Sequence, residues 1–304
     1  MDNIFFSVVI TLYNKERAIK ETIQSVLDQT YNNFELIIID DGSTDCSSSV
    51  AKSFVDSRIK YVYKENGGVS SARNLGAKVA SSNYLIYLDG DDLLYSDTLS
   101  NFAAVIDKYP EVNLIAAKLV RKTEKGLVNP SSTNYEGLVN QNKKMRWYYS
   151  RMIDGGIGRT LYDRRLVLKY PFDERCSRWE DVVAITKWIN ESKVYILNKN
   201  ALLERQEFNN ASKVLYDYSK DSVFHLDFAG LPFWGKMKYG YILSMGKRDY
   251  PQLWPILKKQ YKDYLIYSCL SVIYRDLLYM LYIIKNGSKV IKWKFFHLFN
   301  RSIK

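Results

Sequence analysis

Residues 34–43 read FELIIIDDGS, a run of apolar and β-branched side chains that ends in two aspartates, a glycine and a serine. A short apolar run closed by turn-forming residues predicts a β-strand that is buried on both faces. Similar runs surround it in the sequence, and we predict further strands at Phe5–Leu12, Ile59–Tyr63 and Tyr84–Leu88. The quoted stretch is therefore expected to be the second of four interior strands.

Segments with helical spacing separate these strands. Residues 15–29 place apolar side chains at helical intervals, and the sequence predicts further helices over 45–54 and 70–79. Strands that alternate with helices predict a parallel α/β sheet with helices packed on its faces. Ligands of such sheets bind at the carboxyl ends of the strands. The polar residues that follow three of the strands are Thr11, Tyr13, Asn14, Asp40, Asp41, Asp89, Asp91 and Asp92.

The composition is that of an ordinary globular protein. Of the 304 residues, 47% are hydrophobic and 25% are charged, which excludes a disordered chain. The formal net charge of +11 suggests a polyanionic partner such as nucleic acid, a diphosphate compound or an anionic membrane. Three dispersed cysteines without a CxxC motif disfavour a disulfide framework or a zinc site and fit a reducing compartment. With only two histidines, any bound metal must use carboxylates.

Asp89-Gly90-Asp91 directly follows the fourth predicted strand. Two carboxylates with a glycine between them can reach into one pocket, and oxygen ligands of this type suit Mg²⁺ or Mn²⁺. A bare DxD string is more often a solvated acidic turn. Its position at the carboxyl end of a buried strand favours a metal site.

Two other segments have both a structural and a functional interpretation. Asp40 and Asp41 either cap the following helix or accept a hydrogen bond from a base or ribose, and both can hold for different residues. Residues 66–74 (NGGVSSARN) join a glycine turn to a helix start, where an anion is favoured and Arg73 can reach a phosphate.

Glu180-Asp181 opens a helix that we predict over 179–189. Acidic residues at a helix N-terminus are favoured electrostatically, which is the simpler explanation of the pair. The functional hypothesis is a general base that takes a proton from an attacking hydroxyl group. The spacing alone favours the simpler explanation.

Four motifs, in this order and at ordinary spacing, resemble those of glycosyltransferase family 2. They are SVVITLYN (7–14), SVLDQTYNNFELIIIDDGSTD (25–45), ENGGVSSARNLGAKVA (65–80) and YLIYLDGDD (84–92). A weaker similarity continues through LYDRRLVLKYPFDE (161–174) and RWEDVVAITKWI (178–189). The resemblance is to the bacterial, non-processive branch that builds polysaccharides and capsules.

The resemblance implies a GT-A fold, which is a Rossmann-like, mostly parallel sheet flanked by helices. It implies a catalytic domain over 1–215, with a nucleotide-sugar half at about 1–112 and an acceptor half at about 113–215. A helical, aromatic and basic C-terminal extension would cover 216–304, where we recognise no motif.

The resemblance also implies a role for each polar residue. The nucleotide-sugar-binding residues would be Thr11, Tyr13, Asp41, Asn66, Arg73 and Asp89. Asp91, together with Asp89, would bind Mn²⁺ or Mg²⁺. Asp181 would be the catalytic base with Glu180 supporting it, and Trp179 would stack on a donor or acceptor sugar. The reaction would be a single displacement that inverts the anomeric configuration.

The sequence departs from the family pattern at two places. Proline is usual in the family where Thr11 stands, so the contact with the base can differ. RCSRW (175–179) matches the RxxRW string of processive members, but here it precedes the Glu-Asp pair instead of following it. Processive synthesis is therefore disfavoured, and transfer of a single sugar is expected.

The expected partners are a UDP-sugar and a glycan or lipid-diphosphate-linked acceptor; no motif for nucleic acid is present. No signal peptide is evident, which predicts a cytoplasmic protein. Tyr264–Ile284 is apolar but is interrupted by Arg275 and Asp276, and residues 285–304 are basic without an acidic residue. This segment predicts either an interfacial helix on the anionic inner face of the membrane or a helix that packs on the catalytic domain.

Two other classes of function remain to be distinguished. A nucleotidyltransferase would turn over a nucleoside triphosphate, but the sequence lacks a GxxxxGK[ST] loop. A catalytically inactive protein that binds sugar nucleotides or glycans would bind the donor without transferring the sugar. The intact set of Asp89, Asp91 and Asp181 argues against it.

Overall fold

The structure, a computed structural model, describes residues 4–130, 134–149, 156–205 and 221–274. The chain divides into two compact units, Met1–Gly235 and Lys236–Lys304. The boundary expected between residues 215 and 216 lies in 206–220, outside the described residues.

The described part of the first unit alternates strands and helices along much of its length. Its strands are β1 (Phe6–Leu12), β2 (Phe34–Asp41), β3 (Ile59–Lys64), β4 (Tyr84–Asp89), β5 (Leu93–Leu94), β6 (Leu114–Thr123), β7 (Gly126–Val128), β8 (Gly137–Leu138), β9 (Thr160–Asp163) and β10 (Val194–Arg205). Its helices are α1 (Ile19–Leu27), α2 (Ser47–Lys52), α3 (Val69–Val79), α4 (Thr98–Lys108), α5 (Lys144–Tyr149), α6 (Arg164–Lys169) and α7 (Glu180–Glu191).

The ten strands form one sheet. Eight of them lie in the order β3-β2-β1-β4-β9-β6-β10-β5, while β7 pairs with β6 and β8 pairs with β10. The four strands predicted from the apolar runs are adjacent, and β1 pairs in parallel with both β2 and β4. The α/β fold predicted from the alternation is therefore confirmed. Strand β9 was not predicted: it lies antiparallel between β4 and β6, and four residues are too few to show a pattern.

The apolar strands are explained by a core on each face of the sheet. Val8 and Ile10 of β1 face a cluster that includes Ile23 of α1. Val9, between them in the sequence, faces the opposite cluster with Trp188 of α7. Because successive side chains of a strand point to opposite faces, a strand covered on both sides must be apolar throughout.

Gly76 of α3 lets this helix lie directly against β1. A Cβ atom at position 76 would lie 2.3 Å from Val9 Cγ1, so the helix or the strand would have to move.

We expect Gly76→Ala to lower the free energy of unfolding by about 1–3 kcal/mol, because overpacking outweighs the better helix propensity of alanine. Urea denaturation measures this. Lys78→Ala, on an exposed position of α3, is the control and should change stability by less than about 0.5 kcal/mol. A Gly76→Ala variant as stable as the wild type would contradict the packing argument.

The C-terminal part is helical where it is described. Helix α8 is Phe233–Asp249, α9 is Trp254–Gln260, and residues 265–274 form a further helical segment. In the described part of the chain, no helix is both long and apolar enough to cross a bilayer. Residues 275–304, which include about half of the apolar segment Tyr264–Ile284 and all of the basic end that follows it, lie outside the described residues.

Candidate active site

The polar strand ends converge on one cavity of about 760 Å³ in the first unit. The predicted site residues that line it are Thr11, Tyr13, Asp41, Asn66, Arg73, Asp89, Asp91, Glu180 and Asp181. Trp179 is not among the lining residues. The carboxyl ends of β1, β2 and β4 thus meet the starts of α3 and α7, as expected for a parallel sheet.

The two aspartates at the end of β2 have different environments. The carboxylate of Asp40 is buried and accepts hydrogen bonds from the Ser43 amide at 2.8 Å and the Tyr61 hydroxyl at 2.5 Å. Asp41 instead lines the cavity. Adjacent strand residues point to opposite faces, so the pair divides into one turn-forming residue and one available to a ligand.

Asp41 joins β2 to the glycine turn before α3. Its Oδ1 accepts from Lys64 Nζ at 2.5 Å and from the Gly67 amide at 2.9 Å. Gly42 has a φ of +76°, and a Cβ there would lie 2.8 Å from the backbone nitrogen of Asn66. Glycine therefore allows the two loops to approach closely, which brings Asn66 and Asp41 to the same wall of the cavity.

Arg73 connects the two carboxylate groups of the site. Its side chain is only 5% exposed; Nη2 lies 3.0 Å from Asp89 Oδ1 and Nη1 lies 3.0 Å from Glu180 Oε1. Burial opposes the charged form, but the charges of Asp89 and Glu180 outweigh it and raise the pKa of Arg73. Thr11 Oγ1 also donates to Asp89 Oδ1, at 3.2 Å. The ends of β1, α3, β4 and α7 are thereby held together around one cation.

Asp91 is paired with a lysine that the sequence reasoning had not singled out. Lys15 Nζ lies 2.5 Å from Asp91 Oδ2, and both residues line the cavity. Burial raises the pKa of Asp91, and the hydrogen bond from Lys15 opposes the shift. Burial and the neighbouring charges of Asp89 and Asp91 also raise the pKa of Asp92, to about 8.

Arg205, also missing from the sequence prediction, supports the loop that carries these aspartates. Its Nε donates to the Asp91 carbonyl at 2.5 Å, and its backbone amide donates to Asp92 Oδ1 at 3.1 Å. Its Nη1 reaches Glu21 of α1 at 2.5 Å. The apolar run at Val194–Leu197 predicts only a short strand, whereas β10 continues to Arg205. A strand of full length would have put this arginine at a carboxyl end, where site residues are expected.

The Glu180-Asp181 pair forms the first turn of α7. Burial, and next the charge of Asp181, raise the pKa of Glu180, while Arg73 opposes the shift. Asp181 Oδ1 accepts from the Val182 amide at 2.7 Å. Because the Glu180 carboxylate is held by Arg73, Asp181 is the member of the pair with fewer fixed contacts to other side chains in the described structure.

A residue with a strained backbone conformation precedes α7. Trp179 precedes the helix with a φ of +63°, in the left-handed region that side chains other than glycine rarely adopt. Arg178 lies beside it, with its guanidinium 5.7 Å from the Trp179 ring centroid and 3.1 Å from the buried carboxylate of Asp221. The Arg178 carbonyl accepts from the Ser222 amide at 3.2 Å. Strain of this kind persists where surrounding contacts fix the backbone, and it is common at active sites.

The donor set at the cavity fits a hard divalent cation. Asp89 and Asp91 present carboxylate oxygens, and a Mg²⁺-like ion typically takes one or two carboxylates together with substrate phosphates. Among the described residues, no group of three or more His, Cys, Asp or Glu side chains could hold a metal by itself.

Comparison with known proteins identifies relatives of this arrangement. The family model described as Glycosyl transferase family 2 matches residues 7–170. The Bacillus subtilis minor teichoic acid biosynthesis protein GgaB is 31% identical over 209 residues, which cover 66% of this chain and 22% of that protein. Glycosyltransferase GlyA of Streptococcus pneumoniae serotype 4 is 37% identical over 105 residues, covering 34% of this chain and 15% of GlyA. The chain therefore spans a minor part of the length of these curated relatives.

A solved structure shares the fold. The S. aureus TarS 1–349 complex with UDP-GlcNAc has a TM-score of 0.66 and 21% sequence identity, and the match covers 81% of this chain and 73% of that one.

Proposed function

The chain belongs to glycosyltransferase family 2 and has its GT-A fold, and we propose that it moves a single sugar from a UDP-sugar to an acceptor hydroxyl with inversion of configuration. The family membership supports glycosyltransferase activity. The donor, the stereochemical outcome and the acceptor class are the proposal.

One observation carries the proposal. The buried guanidinium of Arg73 contacts Asp89 on one side and Glu180 on the other, at 3.0 Å each. One cavity is therefore bordered both by the carboxylates that we propose to bind the donor and by the helix that carries the proposed base. A single displacement needs the base to act from the side opposite the leaving group, and a cavity lined by both sets of groups supports this arrangement.

In this mechanism the nucleoside lies against Thr11, Tyr13, Asp41 and Asn66. Asp41 accepts a hydrogen bond from the base. Asp181 takes the proton of the acceptor hydroxyl as that oxygen attacks the anomeric carbon and the nucleoside diphosphate leaves. Glu180 and Arg73 hold the start of α7 in position.

Asp89 and Asp91 are the residues that would hold Mn²⁺ or Mg²⁺. The ion would supply neutralisation of the negative charge that grows on the leaving diphosphate. Arg73, which is already buried beside Asp89, adds a fixed positive charge to the same region.

The nature of the relatives supports the choice of donor and acceptor. TarS has been crystallised with UDP-GlcNAc and with UDP, which favours a UDP-sugar here. GgaB is a teichoic acid biosynthesis protein, which favours a cell-surface glycan or a lipid-diphosphate-linked acceptor. An acceptor of this kind is consistent with a cytoplasmic enzyme at the inner face of the membrane. This location remains a prediction.

The test is hydrolysis of a panel of nucleotide sugars, with and without Mn²⁺, read as released nucleoside diphosphate. We expect slow, Mn²⁺-dependent release from one UDP-sugar. If no sugar nucleotide is hydrolysed but one binds in a titration, a sugar-nucleotide-binding protein becomes the better description. Turnover of a nucleoside triphosphate in the same assay would instead favour a nucleotidyltransferase.

A further inference from the structure

Lys15 occupies the place at Asp91 where a cation is expected. Its Nζ lies 2.5 Å from Asp91 Oδ2, and the two side chains are 21% and 11% exposed. The Lys15 side chain also passes over Gly90, where a Cβ would lie 3.5 Å from Lys15 Cγ. The ammonium group thus lies on the DxD loop itself, within the cavity.

Hydrogen bonds hold the main chain of Lys15, so any change in the position of this residue would involve its side chain. The Lys15 amide donates to Ser47 Oγ at 2.7 Å. Its carbonyl accepts from the amides of Ala18 and Ile19, each at 2.9 Å, as α1 begins. A lysine side chain is a flexible four-carbon stem with a compact point charge at its end. The ammonium can therefore move within the cavity while the backbone stays in place.

The charges around Asp91 explain why an ammonium is held there. Asp91 is largely buried, and the charges of Asp89 and Asp91 act on the buried Asp92 next to it. A positive charge stabilises such a group of carboxylates. A divalent ion on Asp91 would repel an ammonium 2.5 Å from the same carboxylate, because like charges interact strongly at short range in a partly desolvated site.

We propose that Lys15 is an exchangeable counter-ion: its ammonium neutralises Asp91 before the metal binds, leaves when a divalent cation takes that carboxylate, and then pairs with the donor diphosphate. The inference rests on the proposed function for the identity of the diphosphate. It assigns Lys15 two alternating partners, the Asp91 carboxylate and the phosphate oxygens.

The first measurement is titration of the purified protein with Mn²⁺ alone, by calorimetry. Lys15→Gln removes the competing ammonium, so Mn²⁺ should bind roughly 3- to 10-fold more tightly, the range expected for loss of one partly exposed ion pair. Lys15→Arg keeps the competing charge and should bind Mn²⁺ as the wild type does. Lys20→Gln, an exposed site on α1, makes the same change in net charge and should have no effect.

The second measurement is titration with UDP at saturating Mn²⁺. Here Lys15→Gln should bind UDP about 3- to 10-fold more weakly, because the diphosphate loses a charged partner. Opposite effects on the two ligands separate this proposal from a purely structural role of Lys15, which would weaken both. Thermal melting of each variant confirms that it is folded.

Unchanged or weaker Mn²⁺ binding by Lys15→Gln would overturn the exchange, and so would tighter binding by Lys15→Arg. Unchanged UDP affinity would overturn the pairing with diphosphate. If the wild type binds Mn²⁺ but no UDP, the proposed donor is wrong, and the Mn²⁺ titration still decides whether Lys15 competes at Asp91. The two failures are therefore distinguishable.

Discussion

Asp181→Asn is expected to lower the rate of sugar transfer by about 10²–10⁴-fold, the usual contribution of a general base, while the enzyme still binds its sugar nucleotide. Asparagine has the same shape as aspartate, and its side-chain oxygen can still accept the hydrogen bond from the Val182 amide. It cannot accept the proton of the acceptor hydroxyl. The loss should therefore appear in kcat and leave donor affinity close to that of the wild type.

The structure gives a reason to assign the base to Asp181 and not to Glu180. The side chain of Glu180 is only 11% exposed, and its carboxylate lies 3.0 Å from the guanidinium of Arg73, which holds it in place. A group held in this way serves better to orient the helix than to exchange protons with an acceptor.

The measurement is transfer kinetics with the acceptor, together with a binding titration of the donor. Asp107→Asn, an exposed site on α4, makes the same chemical change outside the cavity and should leave both quantities unchanged. Normal transfer by Asp181→Asn would show that another group is the base.

Asp91→Ala is expected to reduce metal-dependent hydrolysis of the donor by about 10²–10³-fold, the cost of losing one well-placed electrostatic group. The Asp91 carbonyl is fixed by Arg205 at 2.5 Å, so the loop should keep its position when the carboxylate is removed. Removal of this largely buried carboxylate relieves a desolvation cost, which offsets the loss of its ion pair with Lys15, and the variant should remain folded.

Measuring the activity over a series of Mn²⁺ concentrations distinguishes the loss of a required metal ligand from a weakened affinity for the metal. For Asp91→Ala we expect the activity to stay low at every Mn²⁺ concentration, with Asp107→Ala as the matched control. An Asp91→Ala variant that regains wild-type turnover at high Mn²⁺ would show that Asp91 is dispensable for the transition state, and that other groups hold the ion.

Local sequence patterns predicted the part of the fold that local patterns can determine. The strands β1, β2 and β4 are continuous apolar runs because both of their faces are covered, and such runs are visible without a structure. The position of the cavity followed from the same reasoning, because parallel strands bring their carboxyl ends together.

The remaining features depend on contacts between distant segments. Strand β9 is recognisable only from its pairing with β4 and β6. The pairing of Lys15 with Asp91 joins residues 76 positions apart, and no local spacing predicts it. The different roles of Asp40 and Asp41 depend on the positions of the Ser43 amide and the Gly67 amide. These positions cannot be read from the sequence.

The contacts of Arg205 also determine when the site can be completed during synthesis of the chain. This arginine reaches back 187 positions to the Ala18 carbonyl and 114 positions to the Asp91 carbonyl. A nascent chain that ends before β10 already contains both aspartates of the DxD loop but lacks the residue that fixes them. Because contacts of such long sequence separation form late in folding, we expect the sheet to be largely assembled before the proposed site for metal and nucleotide is complete.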